Sequence, residues 1–135
     1  SVVVPAGSKT VTFPVTTVAV AANTSASIAT KYLGTIKSAA LTIAAPTVST
    51  LTLAPSSLTG GATSKLTIKL SGKAAIGGVV VALTSSNTVV AQLPTSVTIP
   101  AGADTVDVNI QTGAVAVTTN VTITAKTGAV AKTVA

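Results

Sequence analysis

The chain is 135 residues long, and Ala, Val, Thr and Ser supply 84 of them. Only 7% of residues are charged and 1% are aromatic, and His, Cys, Met, Trp, Arg and Glu are absent. Asp104 and Asp107 are the only carboxylate side chains, so disulfides, thiolate or imidazole metal sites and most acid–base catalysis are excluded from the start.

The net charge of +6 comes from lysines scattered singly along the chain. Nucleic-acid sites favour arginine forks and stacked aromatics. With no Arg, one Tyr and one Phe, no nucleic-acid partner is expected. Isolated lysines instead keep a β-rich surface soluble and blunt strand edges. The longest uninterrupted apolar run, Ala74–Leu83, has ten residues, two of them glycine. A spanning helix needs about 20, and a membrane barrel needs more strands than this length supplies. No membrane insertion is expected. High Val and Thr content argues against disorder. Burial is worth about 25 cal/mol per Å², so a core of Val, Ala, Leu and Ile is thin. Ser1 opens the chain without Met or a recognisable export signal, which fits a processed chain or a piece of a longer one.

The first element in chain order is half of an internal repeat. Residues 1–32 align without a gap onto residues 96–127, 95 positions later, with 14 of 32 identical. The identities include Pro5/Pro100, Ala6/Ala101, Gly7/Gly102, Ile28/Ile123 and Lys31/Lys126, and Val4/Ile99 and Val15/Ile110 keep the pattern. One extra residue near Leu33 is expected to shift the register, so that Gly34 meets Gly128 and Ala135 meets Leu41. Residues 1–45 therefore read as the second half of one unit, worth four strands, and residues 46–135 as a nearly complete second unit. Pro46 marks the junction. Pro14, where the second copy has Asn109, removes a ladder donor and predicts a bulge or an edge there.

The apolar pattern has period two throughout the chain. In Lys65–Leu70, Leu66, Ile68 and Leu70 share one face, and in Thr105–Ile110, Val106, Val108 and Ile110 do. Half-buried antiparallel strands with Thr outward have this pattern. Turn signals recur at Pro55–Gly61, Gly72–Gly78, Ser85–Thr88, Pro94 and Pro100–Gly102. Together they predict eight strands: about 48–54, 62–71, 78–84, 89–92, 95–99, 104–111, 120–126 and 130–135. That many short strands, so punctuated, predict an all-β antiparallel sandwich.

The run from Leu51 (LTLAPSSLTGG), through KLTIKLSG, GGVVVALTSS and SVTIPAGADTVDVNIQT to NVTITAKTGA, resembles bacterial immunoglobulin-like repeats of large secreted and surface proteins. The resemblance covers 47–135 and, as a trailing half, 1–45. It implies immunoglobulin-like antiparallel β-sandwich repeats, one partial unit and one nearly complete, in tandem array at an extracellular or cell-surface location. Some such sandwiches carry Lys–Asn isopeptide bonds. These need a buried carboxylate, for which Asp104 and Asp107 are the only candidates, so none is expected.

Little in the chain suggests chemistry. Asp104 and Asp107 are three apart, an odd spacing that places them on opposite faces of a strand. Pairing with 62–71 would put Asp107 opposite Lys65 or Lys69 as an exposed ion pair. Ser64–Lys65 and Ser71–Lys73 read as surface positions rather than nucleophile and base, so no catalytic residue is assigned. Two carboxylates fall short of the oxygen count calcium needs. Gly60–Gly61 and Gly77–Gly78 precede strands rather than helices, so they make turns, not phosphate cradles. No metal or other cofactor is expected. The Asn-x-Ser/Thr sequons at Asn23 and Asn120 are the candidate glycosylation sites, of a kind that arises by chance in a Thr/Ser-rich chain.

The expected function is non-enzymatic: a structural repeat of an extracellular filament, stalk or surface protein, acting as a spacer or packing module. Its partners would be neighbouring copies of the same repeat or protein. The alternative is an adhesin or glycan-binding accessory module. Phe13 and Tyr32 make a poor stacking platform for a sugar, and short loops leave little room for a site.

Overall fold

The computed structural model describes all 135 residues, Ser1–Ala135. It contains no helix. Ten strands run in chain order: β1 Thr24–Tyr32, β2 Thr35–Ile43, β3 Val48–Ala54, β4 Thr63–Leu70, β5 Val79–Ser85, β6 Ala91–Gln92, β7 Ser96–Ile99, β8 Thr105–Thr112, β9 Ile123–Thr127 and β10 Val130–Val134. All pairings are antiparallel.

Two four-stranded sheets, in the orders β3-β4-β8-β6 and β10-β9-β5-β7, form a β-sandwich-like body from residue 48 onward. The alternation explains the layering. Leu66, Ile68 and Leu70 of β4 and Val108 and Ile110 of β8 enter one core with Val81, Leu83, Ile99, Ile123 and Ala125 of the other sheet. Their neighbours in sequence point outward, as Lys65, Asp107 and Lys126 do. Thr127 is an exception to the outward threonines. It is buried, and its Oγ1 accepts the Val48 N–H at 2.9 Å, joining the end of β9 to the start of β3.

At the end of the body where β3 begins, loops lock to one another. Ala74 N–H donates to the Ala103 carbonyl at 2.7 Å, and Gly102 N–H to the Ala74 carbonyl at 2.9 Å. Three expectations in the body are corrected. Residues 89–92 give only the two-residue β6. The Asn87 side-chain oxygen accepts the N–H groups of Val89 and Val90, and Ala91 N–H donates to the Asn87 carbonyl. This Asx-capped turn takes the donors a strand would need. β9 starts at Ile123 rather than 120, because Thr122 exchanges hydrogen bonds with Ser86 outside the ladder. Ser64 is no surface residue. It shares the inward phase of Leu66 and is buried, and its hydroxyl donates to the Pro55 carbonyl at 2.7 Å.

Residues 1–45 yield two strands, not four. β1 and β2 form a hairpin that packs chiefly on itself, and Ser1–Ala22 carries no strand. Pro14 therefore lies in strand-free chain rather than at a bulge or edge. The reason is partnership. In the second copy, β7 pairs with β5, and β8 pairs with β4 and β6. All of those partners come from residues 63–92, which have no counterpart among residues 1–45. The hairpin needs none, because its two strands pair with each other.

The expected shift at Leu33 is also absent. Tyr32 pairs with Thr35, and Thr127 with Val130, so both hairpins close on two-residue loops. The offset of 95 therefore continues unbroken. Ala135 matches Ala40 rather than Leu41, and Lys37 matches Lys132. Gly34 does not meet Gly128. Leu33 and Gly34 both have positive φ (44° and 83°), whereas in the second hairpin Gly128 takes the first loop position at φ 54°. Each is a known solution to a tight hairpin loop, one with two left-handed residues and one with glycine first.

Candidate functional site

Two places collect polar side chains or space. The first is the outer face of β4 and β8. In this register Asp107 lies directly opposite Thr67, with Lys65 on the diagonal. The Thr67 hydroxyl donates to Asp107 Oδ1 at 2.6 Å, and Lys65 Nζ lies 3.1 Å from Oδ2. The Thr67 hydrogen bond, and after it the Lys65 ammonium, hold the Asp107 carboxyl below its ordinary value. Lys65 and Asp107 are exposed, and Thr67 between them is half-buried. A lowered carboxylate on an open face is an ionised acceptor that is already satisfied, not a poised proton carrier.

The expected Lys65 partner is thus present, whereas Lys69 lies opposite Thr105. Thr67 as the stronger partner was missed by the sequence reading. The signal lay in the register, which two strands in sequence do not fix by themselves. Asp104 precedes β8 and is half-buried, with Oδ1 accepting the Thr105 hydroxyl at 3.1 Å. The structure does not bring the two carboxylates together at one partner. Lys65 and Ser64 likewise point to opposite faces of β4, so they form no nucleophile–base pair.

The second place is a cleft of about 390 Å³ at the end of the body opposite the Ala74–Ala103 lock. It forms because the β3–β4 loop and the ten residues between β8 and β9 fold over the core. The expectation that short loops leave little room fails at this end. Gly60 allows the two loops to meet: a Cβ there would lie 2.8 Å from the Gly113 carbonyl oxygen and 2.9 Å from the Val115 nitrogen. Thr112 ties them, its hydroxyl donating to the Ala62 carbonyl at 2.6 Å while accepting the Gly61 N–H at 3.2 Å. The lining is aliphatic and hydroxylic, including Leu53, Leu58, Val117, Ser56 and Thr118. No aromatic ring or charged side chain enters it. Such a wall offers hydroxyls and apolar surface but neither a stacking platform nor a titratable side chain.

Both sequon asparagines are exposed. Asn120 sits on the rim of the cleft, and Asn23 uses its side-chain oxygen to accept the Ala45 N–H at 2.8 Å, closing the open end of the β1–β2 hairpin. No family model matches the chain, and no curated protein or solved structure does.

Proposed function

We propose that the chain is a non-enzymatic structural module, built from immunoglobulin-like sandwich repeats and serving as spacer or packing element of an extracellular filament, stalk or surface protein. The observation that carries this reading is the recurrence of geometry at the repeat interval. Ser8 N–H donates to the Pro5 carbonyl at 3.0 Å, and Ala103 N–H to the Pro100 carbonyl at 3.0 Å. Gly7 and Gly102 have φ of 82° and 80°. The two-residue hairpins recur at the same interval. A unit that repeats its turns and faces gains length by adding copies. Strand order supports the immunoglobulin-like form: β3-β4-β8 on one sheet and β10-β9-β5 on the other match the ABE and GFC groupings of that sandwich.

The chemistry of the surface fits the same role. Thr67 and Thr105, with Lys65 and Lys69, make an outer face suited to solvation or lateral contact rather than turnover. Electron microscopy of the purified chain, with a thermal-shift screen against glycans and small molecules, tests the reading. Dispersed particles indicate a spacer segment and uniform fibres a polymer subunit, with no ligand moving the transition in either case. A saturable ligand that raises the melting temperature would overturn it in favour of a binding module.

A further inference from the structure

We propose that Ser1–Ala45 is one half of a sandwich, completed by a polypeptide segment with the residue pattern of β3 to β6. This rests on the repeat reading above and adds the partner's chemistry and register. At several positions the second copy shows what lies against the residue that matches one in the first. Val4 is 48% exposed where Ile99 is fully buried, and Phe13 is 45% exposed where Val108 is 7% exposed. Ile99 lies opposite Val79 of β5, Val108 opposite Leu66 of β4, and Ala125 opposite Leu83 of β5.

Moved back by 95, that register sets Val4 against a Val79-type residue, Phe13 against a Leu66-type residue and Thr30 against a Leu83-type residue. Each partner comes from the stretch that residues 1–45 do not contain. β1 is the strongest docking strand. It is already formed, and its free edge matches the edge of β9 that pairs with β5. Pro14 removes one N–H from the ladder further upstream.

Other copies of the same 135 residues do not meet this need. Each carries two docking halves, residues 1–45 and 96–135, but one acceptor, β3 to β6 within residues 46–95. However copies exchange segments, half of the docking halves stay uncovered. An additional acceptor segment is required, and this selects the occupant.

The test places residues 46–95 of this sequence ahead of Ser1 in one polypeptide and follows amide hydrogen exchange. In the 135-residue chain, β1 amides exchange much faster than those of β9. In the extended chain they slow by roughly a hundredfold or more, toward the β9 rate. Ile28→Lys in the extended chain restores fast exchange at β1 and leaves β4 protected. The proposal is overturned if β1 exchanges equally fast in both chains while β4 stays protected. It is also overturned if β1 in the monomeric 135-residue chain already matches β9. Should the extended chain aggregate, a synthetic peptide of residues 46–95 in molar excess over the intact chain gives the same readout, and no slowing at β1 then counts against the proposal. Concentration-dependent protection of β1 in the 135-residue chain, with a dimer mass by light scattering, would make a second copy the occupant and overturn the counting argument. A ligand found in the thermal-shift screen would sink the structural-module reading and leave the exchange result standing.

Discussion

Residues 1–40 and 96–135 are near-copies in pattern and opposites in environment. Val4, Phe13 and Val15 are exposed, while Ile99, Val108 and Ile110 at the matching positions are buried. In both copies the turn after Pro5 or Pro100 forms, and so does the two-residue hairpin. Only in the second do the flanking segments become β7 and β8. Local structure closed by near neighbours is thus written in the repeat itself. Strands whose ladder partners lie outside the repeated segment, as those of β7 and β8 do, require those partners to be present. An unpaired strand leaves its N–H and C=O groups to water and gains no burial to offset the entropy of ordering.

Matched substitutions sharpen this contrast, and the largest should come from the conserved isoleucine. Ile123 is buried between the sheets, whereas Ile28 faces no opposing sheet. Ile123→Ala should cost about 2–5 kcal/mol, lowering the melting temperature by about 10 °C or more. Ile28→Ala should cost less than about 1 kcal/mol. Thermal unfolding by circular dichroism checks both. Equal losses would mean that the hairpin is part of the cooperative core.

The next contrast is at the hairpin ends. Thr127 accepts the buried Val48 N–H, while Tyr32 at the matching position is exposed. Thr127→Val keeps the shape and leaves that N–H without a partner, at about 1–3 kcal/mol. Tyr32→Val should leave the transition in place. Urea unfolding of the two variants reads the difference as a shift of midpoint without a change of slope.

The body was legible in the sequence because its strands report on themselves. Lys65–Leu70 and Thr105–Thr112 alternate cleanly, and Gly sits close to their ends, so β4 and β8 fall within about one residue of expectation. Four features were not legible. The Asn87 turn depends on one side chain reaching two backbone donors, which alternation does not register. The unbroken offset past Leu33 was hidden because Leu33 occupies a left-handed position where glycine would be expected, and matching glycines invited a false gap. The Thr67–Asp107 bond needed the β4–β8 register, a long-range property. The end cleft lay in the long β8–β9 loop, which Gly, Ala, Val, Thr and a single Asn spell without a charged or aromatic marker.

A smaller effect is expected at the repeated Pro-Ala-Gly turn. Gly7 and Gly102 share the same positive φ, and a Cβ at either would meet nothing within 4 Å. Steric crowding therefore drops out and only the backbone cost remains. Gly102→Ala should destabilise the body by about 1 kcal/mol, because an L-residue must hold a left-handed conformation that the β7–β8 connection enforces. Gly7→Ala should not move the transition, because no strand on either side of that turn enforces it. Differential scanning calorimetry of the two single variants would show one shifted peak and one unshifted. Two shifted peaks would mean that residues 1–22 are ordered as strands.

The smallest effect belongs to the one carboxylate on the open sheet face. Asp107 has Thr12 as its counterpart, so only the second copy has a charge to lose there. Its folded-state value is lowered, first by the Thr67 hydroxyl and then by Lys65. The stabilisation it adds is therefore present above the ordinary carboxylate value. It is lost as the pH falls through the lowered one, because the unfolded chain takes up the proton first. On a face open to water the ion pair is screened and costs side-chain freedom. Asp107→Lys should barely move the melting temperature at neutral pH. The gap between the parent chain and Asp107→Asn should narrow further as the pH drops below about 3.9. A melting series from pH 7 to 2 in both proteins measures this. A large loss at neutral pH, or a gap that widens in acid, would mean that Thr67, Lys65 and Asp107 are covered by a partner and that this face is not simply solvated.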